Sequence, residues 1–143
     1  LPTSRRLVVL AAVSVLVVAG IGAAVAARSP WVRGYALYHG HLPLTGRIYG
    51  HETTLPPETI VCANCHEPGR PGADPRRLPQ LDRRLAETRD RRGGPSSAYT
   101  EDSFCSLIAN GIDPTSVLIS RTMPRFELDR VDCAALWSYL SAR

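Results

Sequence analysis

Cys62-Ala63-Asn64-Cys65-His66 constrains this chain more than any other stretch. The spacing Cys-x-x-Cys-His is what covalent attachment of a c-type haem requires, because two thiols three positions apart can each bond one vinyl group of the same porphyrin. The histidine directly after the second cysteine is then held beneath the iron, where its imidazole serves as proximal ligand. The same residues admit two other readings: a local Cys-x-x-Cys disulfide, or half of a zinc site completed by two of His39, His41 and His51. Neither needs a histidine immediately after Cys65. Zinc would also want a second compact ligand pair, whereas Cys105 and Cys133 stand far apart in the sequence.

With 143 residues there is room for one domain and little else. Residues 1–30 are expected to stand outside it as a membrane anchor, leaving 31–143 as the folded domain. From Leu7 to Ala27 every residue is apolar or small except Ser14, and as a helix this run reaches about 30 Å, one bilayer crossing. A cleavable signal peptide is the competing reading, since Arg5 and Arg6 precede the run and Ala24-Val25-Ala26 resembles a small-residue cleavage site. The run exceeds the usual apolar core of a signal peptide, about 7–15 residues, which favours a retained single transmembrane helix.

The formal charge of +4 does not point to nucleic acid. Arg5, Arg6 and Arg28 flank the apolar run and every acidic residue comes after it, so the remainder is close to neutral. The basic residues are all arginine, whose planar fork suits bidentate pairing with carboxylates or haem propionates. Between Arg70 and Arg92 they outnumber the acids. That stretch reads either as a solvated surface loop or as a docking face for an acidic redox partner or anionic lipid.

A short helix is expected around Trp31 to His39, followed by turns and a brief hairpin through Leu44 to His51. Trp31, Tyr35 and Tyr38 belong either to an interfacial aromatic belt or to that helix packing inward. Pro57 starts a helix carrying Glu58 to His66. Next, Glu67 to Ser97, rich in proline, glycine and arginine, reads as a wrapping loop, within which the Pro79 carbonyl can accept the imidazole Nδ1 proton of His66. Thr100 caps a helix with an apolar stripe of Phe104, Leu107 and Ile108, closed by Asn110-Gly111. A last helix runs from Arg130 to about Ala142, capped by Asp129 with Asp132, its inward stripe being Cys133, Leu136, Trp137 and Leu140. Neither helix alone buries much.

Met123 is the only methionine and stands in Thr122-Met123-Pro124-Arg125-Phe126, just before the last helix. Its thioether is a soft ligand that favours ferrous iron, and Pro124 restricts Met123 to an extended backbone that presents the side chain. Met123 is therefore the expected sixth ligand, with His39, His41 and His51 as alternatives.

Taken in order, Gly34 to Tyr38, Cys62 to His66, Pro79-Gln80-Leu81, Ala109 to Pro114, Met123 to Phe126 and Ala135 to Leu140 resemble a membrane-anchored class I monohaem cytochrome c. One departure is the turn-rich stretch between Tyr38 and Cys62. The resemblance implies a mostly α, small cytochrome c-like domain preceded by a single transmembrane helix. It implies one covalent haem c bound by Cys62, Cys65, His66, Pro79 and Met123, with His66 and Met123 on the iron. It also implies a single-pass protein of the bacterial cytoplasmic (inner) membrane with its haem domain in the periplasm. In that oxidising compartment Cys105 and Cys133, on the apolar stripes of the two helices, form either a disulfide or two buried thiols. The implied activity is one-electron transfer rather than catalysis, as a free carrier or a fixed subunit. Its partners would be a quinol-oxidising complex, a terminal oxidase or a periplasmic dehydrogenase. A haem sensor in which Met123 leaves the iron is the rival reading, and an enzyme a weaker third.

Overall fold

In the computed structural model, residues 8, 13–17, 20, 29–70, 79, 81–91 and 94–143 are described. Among the described residues, four helices from Pro30 onward, labelled in chain order, form the frame: α1 (Pro30–Tyr38), α2 (Cys62–His66), α3 (Glu101–Asn110) and α4 (Arg130–Ala142). Pro30 starts α1, where its missing N–H costs nothing. Thr100 and Ser103 form a capping box at α3, and the Asp129 carboxylate accepts the Asp132 N–H at 2.7 Å to cap α4. Gly111 ends α3 in the left-handed region, φ 75°.

The main packing is α1 across α4. It depends on Gly34, because a Cβ there would run into the Ala135 carbonyl. Leu37 and Tyr38 of α1 are buried with Leu136 and Leu140 of α4, while Arg33 pairs with Asp132 at the margin. Of the three aromatics left open between belt and packing, Tyr38 is fully buried, and Trp31 and Tyr35 make edge contacts on Tyr139 with centroids 5.3 and 5.6 Å away. α3 joins α4 through the Cys105–Cys133 disulfide, Cα atoms 5.9 Å apart. Of the two fates open to these cysteines, the bridge is the one formed.

Four short strands accompany the helices: β1 (Gly46–Arg47), β2 (Arg89–Arg91), β3 (Gly94–Ser97) and β4 (Arg125–Phe126). β1 pairs antiparallel with β4, Gly46 opposite Phe126 and Arg47 opposite Arg125. The expected hairpin through Leu44 to His51 is thus a long-range pairing, with only a single bridge from Arg47 to Thr54 closing it locally. A second antiparallel pair, β2–β3, with a register irregularity between Arg89 and Arg91, lies inside the stretch read as a wrapping loop. Its Arg91 side chain donates back to the Leu85 and Ser97 carbonyls and lies over the Tyr99 ring, tying together strands that show no apolar alternation. The helix expected from Glu58 to His66 is also broken. A 3₁₀ turn at Pro57–Thr59 is separated from α2 by extended Val61, because Ile60 and Val61 are β-branched and Ile60 is drawn into the core.

The expected architecture of a mostly α domain behind a transmembrane helix is therefore corrected. Among the described residues 46% are helical and 13% are in strands, and no described helix is long and apolar enough to cross a membrane. The longest described helix, α4 with 13 residues, spans about 20 Å and is amphipathic, against the roughly 30 Å of apolar helix a bilayer requires. The same finding overturns the single-pass inner-membrane placement with a periplasmic haem domain. Most of the 1–30 segment, and Arg76, Arg77 and Arg92 of the arginine-rich stretch, lie outside the described residues.

Candidate functional site

Helix α2 is a single turn and a half, and its register decides what it can do. Cys62, Cys65 and His66 occupy positions i, i+3 and i+4, which share one helix face. Ala63 points the other way into the core at 1% exposure. Asn64 Nδ2 donates to the Glu58 carbonyl at 3.1 Å, and the Glu67 N–H donates to the Ala63 carbonyl at 3.1 Å. The turn is thus fixed from behind while its cysteine and histidine face stays available. Neither cysteine is in a disulfide.

His66 Nδ1 lies 2.8 Å from the Pro79 carbonyl oxygen. A carbonyl only accepts, so Nδ1 carries the proton and the neutral ring keeps its lone pair on Nε2. Burial holds His66 below the ordinary histidine range, against the opposing pull of the Pro79 carbonyl. The result is a neutral, oriented imidazole with Nε2 unspent, the state in which histidine binds a metal. Burial also pushes the Cys62 thiol up to about 12. That is opposite to the lowered value of a redox-active Cys-x-x-Cys pair.

Glu67, next in sequence, is bonded by the Arg143 guanidinium at 3.0 and 3.1 Å. Burial would lift the Glu67 carboxyl, but Arg143, donating through Nη2 to both carboxylate oxygens, holds it below its usual range. Arg143 also lies over the Tyr38 and Tyr139 rings, 4.9 and 5.4 Å from their centroids. Arg143 thereby anchors α2 to the α1–α4 pair. No motif signals this tie in the sequence.

Met123 lies on another segment, the irregular stretch between Gly111 and β4, and is half-buried against the same core as Cys62 and Leu81. Two buried polar residues hold that stretch. Asp113 Oδ1 accepts from the Thr115 and Val117 N–H groups and the Thr115 hydroxyl, all within 2.8–2.9 Å. Arg125 Nη1 donates to the Met123 carbonyl at 2.6 Å. Sequence reasoning gave neither residue a role, although a charged residue in an otherwise apolar strand is a signal.

The alternative histidines are placed elsewhere. His39 Nε2 is 3.1 Å from the Tyr139 hydroxyl, and His41 stacks on Tyr35. Among the described residues no three or more His, Cys, Asp or Glu side chains converge as a metal-binding group, so these histidines do not complete a zinc site with Cys62 and Cys65. Comparison with protein-family models, curated proteins and solved structures finds no match to this chain.

The residues fit a covalent haem on three counts: two unpaired thiols on one face, an imidazole oriented with Nε2 available, and a buried arginine donor without an acceptor, Arg125 Nε.

Proposed function

We propose that this chain is a one-electron carrier holding a single haem c, as its resemblance to class I cytochromes c implies. The observation that carries the reading is the 2.8 Å hydrogen bond from His66 Nδ1 to the Pro79 carbonyl, beside two free thiols on the same helical face. When bound, the haem supplies a ferric–ferrous couple. Cys62 and Cys65 would tether it, His66 would hold the iron through Nε2, and Met123 would supply a second protein ligand through its sulfur. The Pro79 carbonyl sets the ring plane of His66 and increases its basicity. The partners of such a carrier are other redox proteins, among which the resemblance suggests a quinol-oxidising complex, a terminal oxidase or a dehydrogenase. The Cys105–Cys133 disulfide is in keeping with an oxidising compartment.

The test is to produce the full chain in cells equipped for haem c maturation and weigh the denatured polypeptide. A mass increased by one haem, lost in the Cys62→Ser, Cys65→Ser double variant, is the expected result. A bare or zinc-bearing polypeptide refutes the reading. Carbon monoxide added to the reduced protein then separates a carrier, whose spectrum is unchanged, from a ligand sensor, which binds it rapidly.

A further inference from the structure

Between the first turns of α3 and α4 lies a cleft of about 160 Å³ that reaches the Cys105–Cys133 disulfide. Its wall carries Glu101 and Asp102 from the start of α3, and Asp129 and Arg130 from the start of α4. The two cysteines are not equally covered: Cys133 is 3% exposed, while Cys105 is only partly buried. The Arg130 guanidinium lies 3.6 Å from the Asp102 carboxylate, the side chains being 91% and 89% exposed. A pair so open to water is weak and screened by salt, and Glu101 and Asp129 leave the cleft with a surplus of negative charge. Asp129 keeps that charge while its carboxylate caps α4.

The bridge also closes a loop. Segment 111–124, which includes Met123, lies wholly between the two cysteines. α3 has its own hold on α4, since Phe104 packs on Trp137 with ring centroids 5.5 Å apart, and Phe104, Leu107 and Ile108 are buried. Opening the bridge therefore slackens the segment while α3 keeps its seat in the core. We propose that the cleft is a thiol–disulfide exchange site for a dithiol reductant of neutral or positive charge, and that the bridge is a reversible latch on segment 111–124. Access selects the sulfur that is attacked. A thiolate of the reductant bonds to Cys105 Sγ, the Cys105–Cys133 bond breaks, and its electron pair leaves on Cys133 Sγ, which takes up a proton. The reductant's second thiol gives up its proton, attacks the reductant's own first sulfur and displaces Cys105 as a thiolate, which is protonated in turn. The reductant ends as a disulfide, and the protein has gained two electrons and two protons. The exchange does not rest on the haem reading; only on that reading does the latch also govern the sulfur ligand.

The experiment uses the full chain under native conditions with two small monothiol probes, cysteamine and 3-mercaptopropionate, compared per thiolate and against their rates on a neutral model disulfide. The reaction is stopped early by rapid alkylation and the peptides are weighed. Cys105 and Cys133 are mapped apart from Cys62 and Cys65, so the readout needs no haem. The incoming thiol is expected on Cys105 and the alkyl group on Cys133. Cysteamine should be favoured by about tenfold at low ionic strength, the preference fading at about 1 M salt, where the screening length is about 3 Å. Glu101→Gln with Asp129→Asn, which keeps an N-cap, should lower the preference several-fold. Amide hydrogen exchange should quicken on reduction within segment 111–124 and not in α1. A wild type reduced at a rate independent of thiol concentration overturns the inference, because the bridge would then be reached only by unfolding. So does the probe on Cys133, the absence of a charge preference, or exchange that quickens throughout the chain. A chain that carries no haem sinks the haem reading and leaves this inference standing.

Discussion

Opening the Cys105–Cys133 bridge should cost this domain a large fraction of its stability, by an amount that can be worked from its place in the chain. The two cysteines are separated by 28 residues, and the chain-entropy relation for a closed loop of that size gives roughly 12 cal/mol/K, or about 3.6 kcal/mol at ambient temperature. A domain of this length has only about 5–15 kcal/mol in total. The closed loop contains Gly111, Asp113, Met123 and Arg125, so the freedom released on reduction falls on the segment that presents the proposed sulfur ligand. The assay is urea unfolding of the Cys105→Ala, Cys133→Ala double variant beside the wild type. With an m-value near 1.5 kcal/mol/M, the midpoint should fall by about 2.4 M. A midpoint within about 0.5 M of wild type refutes the reasoning, because it would mean that the unfolded chain gains no freedom when the bridge is absent.

Gly34→Ala should destabilise the fold by about 1–3 kcal/mol through overpacking against the Ala135 carbonyl, measured as a lowered thermal midpoint. Glu67→Gln should cost about 1 kcal/mol near neutral pH, since the Arg143 pair is only partly shielded from solvent. The folded Glu67 carboxyl lies below its unfolded value. Its contribution is therefore complete above the unfolded pKa, about 4.5, and is lost as pH falls through the folded one; urea midpoints of wild type and variant should draw together as pH falls from neutral through the folded value. Met123→Ala in the haem-loaded protein should leave covalent attachment intact and admit carbon monoxide to the reduced iron, read as a shift in the visible spectrum; an unchanged spectrum removes Met123 from the proposed ligand set.

The legible parts of this fold are those specified by local chemistry. Thr100, Asp129 with Asp132, and left-handed Gly111 mark helix ends because each satisfies backbone groups within a few residues, whereas the part of Ser103 in the Thr100 cap was not read. Cys62, Cys65 and His66 are readable for the same reason, their common face arising from helical spacing alone. The β1–β4 pairing could not be read this way. It joins two-residue strands far apart in sequence, neither long enough to show a period of two. The β2–β3 hairpin was hidden by Gly94-Pro95, which signals a turn, and is held by Arg91 rather than by apolar alternation.

Sequence periodicity cannot show at all how the stretch from Gly111 to Pro124 is held, since it contains no regular element beyond the bridge of Ile112 to Leu118. A segment of this kind would ordinarily be a mobile surface loop. Here its backbone is pinned from within. Asp113 gathers three donors near its start, the Ile119 N–H returns to the Gly111 carbonyl at 2.8 Å, and Arg125 takes the Met123 carbonyl near its end. The β1–β4 pair then fixes the chain just past Pro124, and the disulfide ties together the helices on either side of the segment. Polar pins hold a backbone shape without consuming the apolar side chains, which leaves Ile119 and Met123 half-buried against the core rather than spent inside it. Such a segment can offer a thioether to a bound group at small conformational cost, because the entropy of ordering it has already been met by the protein's own hydrogen bonds. Removing the Asp113 carboxylate should therefore loosen Met123 without touching α2, so that any ligand replacement at the iron would arise on the sulfur side alone.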